Sequence, residues 1–212
     1  MGKLIGIFGG SFDPIHLGHL NLAVEMLELH RLDEVWFCPA ACSPHKHHYP
    51  QVNVQHRLNM LRLAIQEEPR FSIIETEINR EAPSYTIDTL NELSAQQQDK
   101  VDPDRFVFIL GEDTARNFHK WRQPESILNL AQLLVGERPD REKPLSFQGS
   151  PRVVEAIKKG LTPIRLMEIS SKEIRKRLLN HEYCYHLLPG KVVDYIASHC
   201  LYSPASSEAR FL

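Results

Sequence analysis

Leu4-Ile5-Gly6-Ile7-Phe8-Gly9-Gly10-Ser11-Phe12-Asp13-Pro14-Ile15-His16-Leu17-Gly18-His19 is the stretch on which the fold turns. Leu4 to Phe8 is a short, mostly apolar run that stops at a glycine pair, which predicts a buried strand entering a tight turn. From Gly18 to Leu29 the apolar residues Leu20, Ala23, Val24 and Leu27 recur at helical spacing, so the strand passes through a loop into a helix. Val35-Trp36-Phe37-Cys38, closed by Pro39, is a second strand. The chain therefore begins as a β-loop-α-β unit.

The same rhythm continues outward. Leu58, Leu61, Ala64 and Ile65 mark a helix, Phe71 to Ile74 a strand, and Ile87, Leu90 and Leu93 another helix. Phe106 to Leu110 is the most strand-like run, and it ends at Gly111 as the first ends at Gly9. Ile127, Leu128, Leu130 and Ala131 suggest a helix before the strand Leu133 to Val135. Such alternation predicts an α/β fold, a Rossmann-like doubly wound parallel sheet with helices on both faces. Arg138 to Gly149 reads as a surface loop, and Ser171 to Leu179 and Lys191 to Ala197 as two short helices of a small C-terminal helical portion. The expected layout is one domain: a core over 1–168, the helical portion over 169–202, and a loose tail over 203–212.

Composition narrows the class of function. With 212 residues, 42% of them hydrophobic and 25% charged, the chain can bury a sizeable core without disulfides or metals. Its 25 basic and 27 acidic side chains leave a formal charge of −2, so the overall field gives no reason to expect nucleic acid. No apolar run is long enough for a secretory segment or a membrane span. The four cysteines form no C-x-x-C pair, which predicts a reducing, cytoplasmic setting and inert, packed thiols.

The loop Gly9 to His19 lies where open α/β sheets bind ligands, beyond the carboxyl end of a strand and before a helix. The glycines permit close approach of main-chain N–H groups to an anion, Ser11 adds a hydroxyl, and the helix start adds partial positive charge. His16 and His19, three apart, can both face one ligand. The string fits neither G-x-x-x-x-G-K-[ST] nor G-x-G-x-x-G, which weakens a kinase or a hydride-transfer reading. Taken singly, the glycine pair could be a plain turn and the histidines a surface pair.

Taken whole, G-G-S-F-D-P-x-H-x-G-H resembles the (H/T)-x-G-H signature of the nucleotidyltransferase superfamily, and its fuller form is similar to the nicotinate mononucleotide adenylyltransferase branch. Further pieces follow in the family's order. Pro39 to Lys46, ending Ser43-Pro44-His45-Lys46, is similar to the family's P-x-x-x-P-P-H-K, with Ser43 in place of a proline. Ser84-Tyr85-Thr86-x-Asp88-Thr89-Leu90 resembles S-Y-T-x-D-T-L, and Gly111-Glu112-Asp113 resembles G-x-D. Arg138-Pro139 matches R-P, and Ile169 to Arg175 matches I-S-S-T-x-I-R with Lys172 at the threonine position.

The resemblance implies roles. Gly9, Gly10, Ser11, Phe12, His16, Gly18, His19, Gly111, Asp113, Ser171 and Arg175 would bind ATP, with His16 and His19 catalytic at its phosphates. Lys46, Thr86, Trp121 and Arg138 would bind the mononucleotide. Thr86 is also a fair helix cap by itself, Trp121 would stack the pyridine ring where a lone tryptophan is otherwise core, and Lys46 is otherwise a solvated loop lysine. Arg122 replaces the usual tyrosine after Trp121. Eight basic against three acidic side chains between 152 and 177 independently favour a polyphosphate. The implied reaction is adenylyl transfer from ATP to nicotinate mononucleotide, giving deamido-NAD and pyrophosphate, with Mg²⁺ carried on ATP phosphates and water. Partners would be those two nucleotides, with no nucleic acid and no membrane; homo-oligomer formation stays open. The rivals are a nicotinamide mononucleotide or a pantetheine-phosphate adenylyltransferase, a non-catalytic nucleotide sensor, and a dehydrogenase.

Overall fold

A computed structural model describes residues 2–41, 51–80, 84–137, 146–165 and 167–203. Its six strands are β1 (Leu4–Gly10), β2 (Glu34–Pro39), β3 (Phe71–Ile73), β4 (Arg105–Gly111), β5 (Gln132–Glu137) and β6 (Leu161–Pro163). They form one sheet in the order β3-β2-β1-β4-β5-β6. Every pairing is parallel, with Ile7 level with Trp36 on one side and Phe108 on the other. A parallel sheet needs a crossover between neighbours, and the helices supply them. Strand order reverses between β1 and β4, which opens a crevice at their carboxyl ends.

The helices are α1 (Leu17–Leu29), α2 (Val54–Ile65), α3 (Thr86–Ala95), α4 (Glu112–Ala115), α5 (Pro124–Leu130), α6 (Pro151–Gly160), α7 (Ser171–Leu179) and α8 (Gly190–Ser198). Two cores result, as a doubly wound sheet requires. Phe8, Val35, Phe37 and Ile109 pack on one face against Ala23, Met26, Met60 and Leu61 of α1 and α2. Ile5, Ile7, Phe108 and Leu133 pack on the other against Leu90 of α3, Ile127 of α5 and Ile157 of α6. Ile174, Val192 and Ile196 of α7 and α8 join the first core, so these helices share the apolar interior of the strands that carry the loop.

Three elements escaped the sequence reading, the four-residue α4, α6 and β6. The α6 start carried a readable signal, Ser150 accepting from Val153 N–H followed by Pro151 at the first helical position. The three-residue β6 is an edge strand that ends in proline, pairs only with β5, and has no periodicity to detect. The surface loop expected at Arg138 to Gly149 lies mostly outside the described residues, as does the tail beyond Ser203. Three helix ends also had no glycine to announce them. Arg31, His181 and Cys200 take left-handed backbone, with φ of 51, 57 and 48°. The amides of Leu32, Glu182 and Leu201 then reach back to Leu27, Arg177 and Ile196 carbonyls, the bond pattern that usually recruits glycine. The packing expectation for the thiols holds for the buried Cys38 and Cys184 but not for Cys200, which is exposed; Cys42 lies outside the described residues.

Candidate active site

The loop after β1 ends on His16, the N-cap of α1. The His16 ring accepts from the His19 amide through Nδ1 at 3.3 Å, and His19 Nδ1 accepts from the His16 amide at 3.3 Å. This is a capping box with imidazoles in both positions, where a hydroxyl and a carboxylate usually serve. Because each Nδ1 is an acceptor, each neutral ring carries its proton on Nε2. The rings stack with centroids 3.6 Å apart, so both Nε2–H groups belong to one parallel pair. Burial lowers the His16 pKa to about 4, which keeps the ring a neutral donor at pH 7. A Cβ on Gly18 would lie 3.1 Å from His16 Nδ1, which explains a side-chain-free residue between the histidines.

The first amides of α1 are largely taken. Leu17 N–H donates to the Leu187 carbonyl at 3.0 Å, and His19 N–H to His16. The anion site expected from bare helix amides therefore rests more on the two imidazoles. Phe12, expected at ATP, has φ 45° and a ring buried in the core against Phe8, Phe37 and His19. Only its main chain is left for a ligand. A Cβ on Gly10 would meet that ring at 2.9 Å, so Gly10 makes room for Phe12 as well as for a phosphate.

The outward carbonyls of the loop are held by donors. Arg57, on the buried side of α2, donates through Nη1 to the carbonyls of Ser11 (2.7 Å) and Ala40 (2.8 Å). Arg175 Nη1 donates to the Asp13 carbonyl at 2.6 Å, and Ser171 Oγ to the Pro14 carbonyl at 2.9 Å. The Asp13 carboxylate accepts from the Tyr202 hydroxyl at 2.8 Å and the Gln51 amide at 2.8 Å. The start of α7, capped by Ser170 onto Glu173 N–H, is thereby docked on the loop, with basic side chains on it. Sequence reasoning had Asp13 within the loop motif but missed the loop's partners Arg57 and Tyr202 altogether. An arginine among the apolar positions of α2 was the one available signal.

From Gly9, Gly10 and Ser11 a pocket runs across the ends of β1 and β4 to Tyr85, Thr86 and Trp121. Trp121 meets Phe108 edge to face, with centroids 5.8 Å apart, and presents a half-buried indole. Thr86 is the first residue of α3 and its N-cap is Tyr85, which makes no side-chain cap bond; the capping role expected of Thr86 is corrected accordingly. With no side chain from Tyr85 on the first amides, this helix start offers N–H donors toward the pocket. The Arg122 guanidinium lies 4.7 Å over the Tyr85 ring, a cation–π contact that brings a positive charge to the pocket rim. Glu77 also lines it, buried, with Thr89 Oγ1 donating at 3.3 Å. Burial pushes its pKa up to about 7, against the pull of Thr89 and Arg80. In the sequence Glu77-x-x-Arg80 leads into the Ser84-Tyr85-Thr86 motif, but that pattern assigns Glu77 no role.

Gly111, the N-cap of α4, would set a Cβ in open space, and Asp113 is exposed on the first turn of that helix. Lys172 is exposed on α7. Lys46 and Arg138 lie outside the described residues. Among the described residues no group of three His, Cys, Asp or Glu is placed to hold a metal, and no helix is long and apolar enough to cross a membrane.

A crevice at the strand-order reversal, with paired imidazole donors at one end and an aromatic pocket at the other, defines a nucleotidyltransferase-type site. The cytidylyltransferase-like family model matches residues 7–177. A probable nicotinate-nucleotide adenylyltransferase of Thermomicrobium roseum is 38% identical over 200 residues, covering 93% of this chain and 91% of the relative. The nicotinate-nucleotide adenylyltransferase of Bacillus subtilis is 37% identical over 204 residues, covering 94% and 98%. The structure titled Plasmodium falciparum nicotinic acid mononucleotide adenylyltransferase complexed with NaAD shares the fold at a TM-score of 0.73, with 24% identity over 94% of this chain and 97% of that one. The chain belongs to the nicotinate-nucleotide adenylyltransferases.

Proposed function

We propose that this chain transfers the adenylyl group of ATP to nicotinate mononucleotide, releasing pyrophosphate and forming deamido-NAD, a step of NAD biosynthesis. The observation that carries the reading is a pocket joining Gly9–Ser11 to Thr86 and Trp121: the glycine-rich bend that leads to His16 and an aromatic stacking surface face one space. The 5′-phosphate of the mononucleotide attacks the α-phosphorus in line, and the bond from that phosphorus to the bridging oxygen breaks as pyrophosphate leaves. The nucleophile is already an anion, so no base must deprotonate it, and catalysis is positioning plus stabilisation of migrating charge.

The two Nε2–H donors on His16 and His19 suit that task, since they are fixed before substrate arrives and need no reorganisation. Ser171 and Arg175 hold the loop through the Pro14 and Asp13 carbonyls; Arg175 would add its positive charge to the phosphate end, and Ser171 would meet ATP through its main-chain N–H at the α7 start. Asp113, exposed on α4 beyond the end of β4, would accept from a ribose diol. Mg²⁺ would be carried on ATP phosphate oxygens and water and would neutralise phosphate charge, since the loop carboxylate of Asp13 is already engaged by Tyr202 and Gln51. At the other end Trp121 stacks the pyridine ring, and the amides of the α3 start with Arg122 on the rim prefer a carboxylate to an amide. Lys46 and Arg138 keep their proposed roles at the mononucleotide. The free thiols of Cys38, Cys184 and Cys200 support a reducing, cytoplasmic setting.

A side-by-side assay of pyrophosphate release with nicotinate mononucleotide and with its amide tests this reading. The expected result is a kcat/KM at least ~10-fold higher for the nicotinate, about what one charge-assisted contact supplies. Equal values would overturn the nicotinate preference, and no pyrophosphate with either would leave a nucleotide sensor.

A further inference from the structure

Asp13 sits in the middle of the loop and its carboxylate faces away from the pocket, toward the end of the chain. The Tyr202 hydroxyl, 189 positions away, donates to Asp13 Oδ1 at 2.8 Å, and both groups are buried. Getting the tyrosine there costs backbone conformation twice. Cys200 and Tyr202 adopt left-handed φ of 48 and 58°, and Phe12, next to Asp13, adopts 45°. A non-glycine residue holds such a conformation only where its surroundings over-determine it. The end of α8 does so at Cys200, with Leu201 N–H on the Ile196 carbonyl at 3.0 Å. Asp13 itself is gripped on every side: Gln51 N–H on Oδ2 at 2.8 Å, and Arg175 on its carbonyl at 2.6 Å with the carboxylate 3.9 Å off.

We infer that Tyr202 is a positioning residue for adenylyl transfer, a C-terminal clasp whose hydroxyl fixes Asp13 and through it the loop from Ser11 to His16. The chemistry requires a hydroxyl rather than an aromatic ring alone, because a phenylalanine would fill the same volume and leave a buried carboxylate short of one donor. Arg175 does not already supply that donor: its Nη1 is on the Asp13 carbonyl and stands 3.9 Å from Oδ2, beyond hydrogen-bond distance. The clasp thus links the last described turn of the chain to the first loop. The inference rests on reading that loop as the site of ATP phosphates.

Tyr202→Phe tests it. The expected result is a fall in kcat/KM for ATP of at least ~10-fold, as a small misplacement of catalytic groups produces, with the KM for nicotinate mononucleotide within about twofold and a melting temperature above that of the assay. A merely structural role would lower activity in proportion to the folded fraction and leave the KM for ATP alone, and that outcome, or an unchanged kcat/KM, overturns the inference. Should the variant not fold, hydrogen exchange on the wild-type chain decides. ATP should protect amides of 199–203 together with those of 9–19. Protection of 9–19 alone removes the clasp, whereas no protection of 9–19 removes the reading of the loop itself.

Discussion

The two ends of the cleft are built on opposite principles. At the phosphate end the side chains are locked onto the main chain: His16 and His19 cap each other's amides, and Arg57, Arg175 and Ser171 occupy the loop's carbonyls. At the pyridine end side chains pack on one another, Trp121 on Phe108 and Arg122 on Tyr85, beside the buried Glu77. Burial therefore acts with opposite sign on their titrating groups. It lowers His16 to about 4 from 6.5 and raises Glu77 to about 7 from 4.5. Folded His16 binds fewer protons than unfolded between those values, so its term stabilises more as pH rises from about 4 to 6.5. Folded Glu77 binds more, so its term is intact below 4.5 and is lost as pH rises toward about 7. A fixed donor pair suits charge that is always present on phosphate, whereas an aromatic pocket suits recognition of one ring.

The sharpest way to break this contrast is at the phosphate end. His16→Ala and His19→Ala should each lower kcat by at least ~100-fold, the cost of removing one preorganised donor, measured by pyrophosphate release; full activity in both would erase the distinction. At the other end Trp121→Ala should raise the KM for nicotinate mononucleotide ~10-fold, as loss of an aromatic stack does, and leave the KM for ATP unchanged. A matching rise for ATP would mean that the ends are not separate. Glu77→Gln should flatten the decline of melting temperature between pH 4.5 and 7, and the wild-type slope surviving in the variant would show that the carboxyl is not held protonated. Least of all, Lys172→Thr should change the KM for ATP by less than about twofold, because the side chain is exposed on α7. A larger shift would place a further cation at the phosphates.

How well each end could be read from sequence follows from the same contrast. Gly9-Gly10, His16 and Gly18 were legible because their functions arise within a few residues of one another, and so was the β1-α1-β2 unit around them. The alternation that gave the parallel sheet was legible for the same reason. Arg57 and Tyr202 were not, since each meets the loop from 46 and 189 positions away, and nothing local distinguishes an arginine or tyrosine that reaches a carbonyl or carboxylate from one that reaches solvent. Glu77-x-x-Arg80 could be read as part of a motif, but the raised pKa of Glu77 could not, because it comes from burial rather than from its neighbours in sequence. Phe12 was placed at the ligand by its motif, but its left-handed backbone turns the ring into the core. The β6 strand was too short to have a period.

The central claim is that His16 and His19 present Nε2–H donors to the polyphosphate at the carboxyl end of β1. A crystal structure with ATP and Mg²⁺ measures this directly. The account predicts the triphosphate between the Gly9–Ser11 bend and the starts of α1 and α7, within hydrogen-bond distance of both imidazoles. Triphosphate density elsewhere, with the two rings still stacked and turned from it, would contradict it.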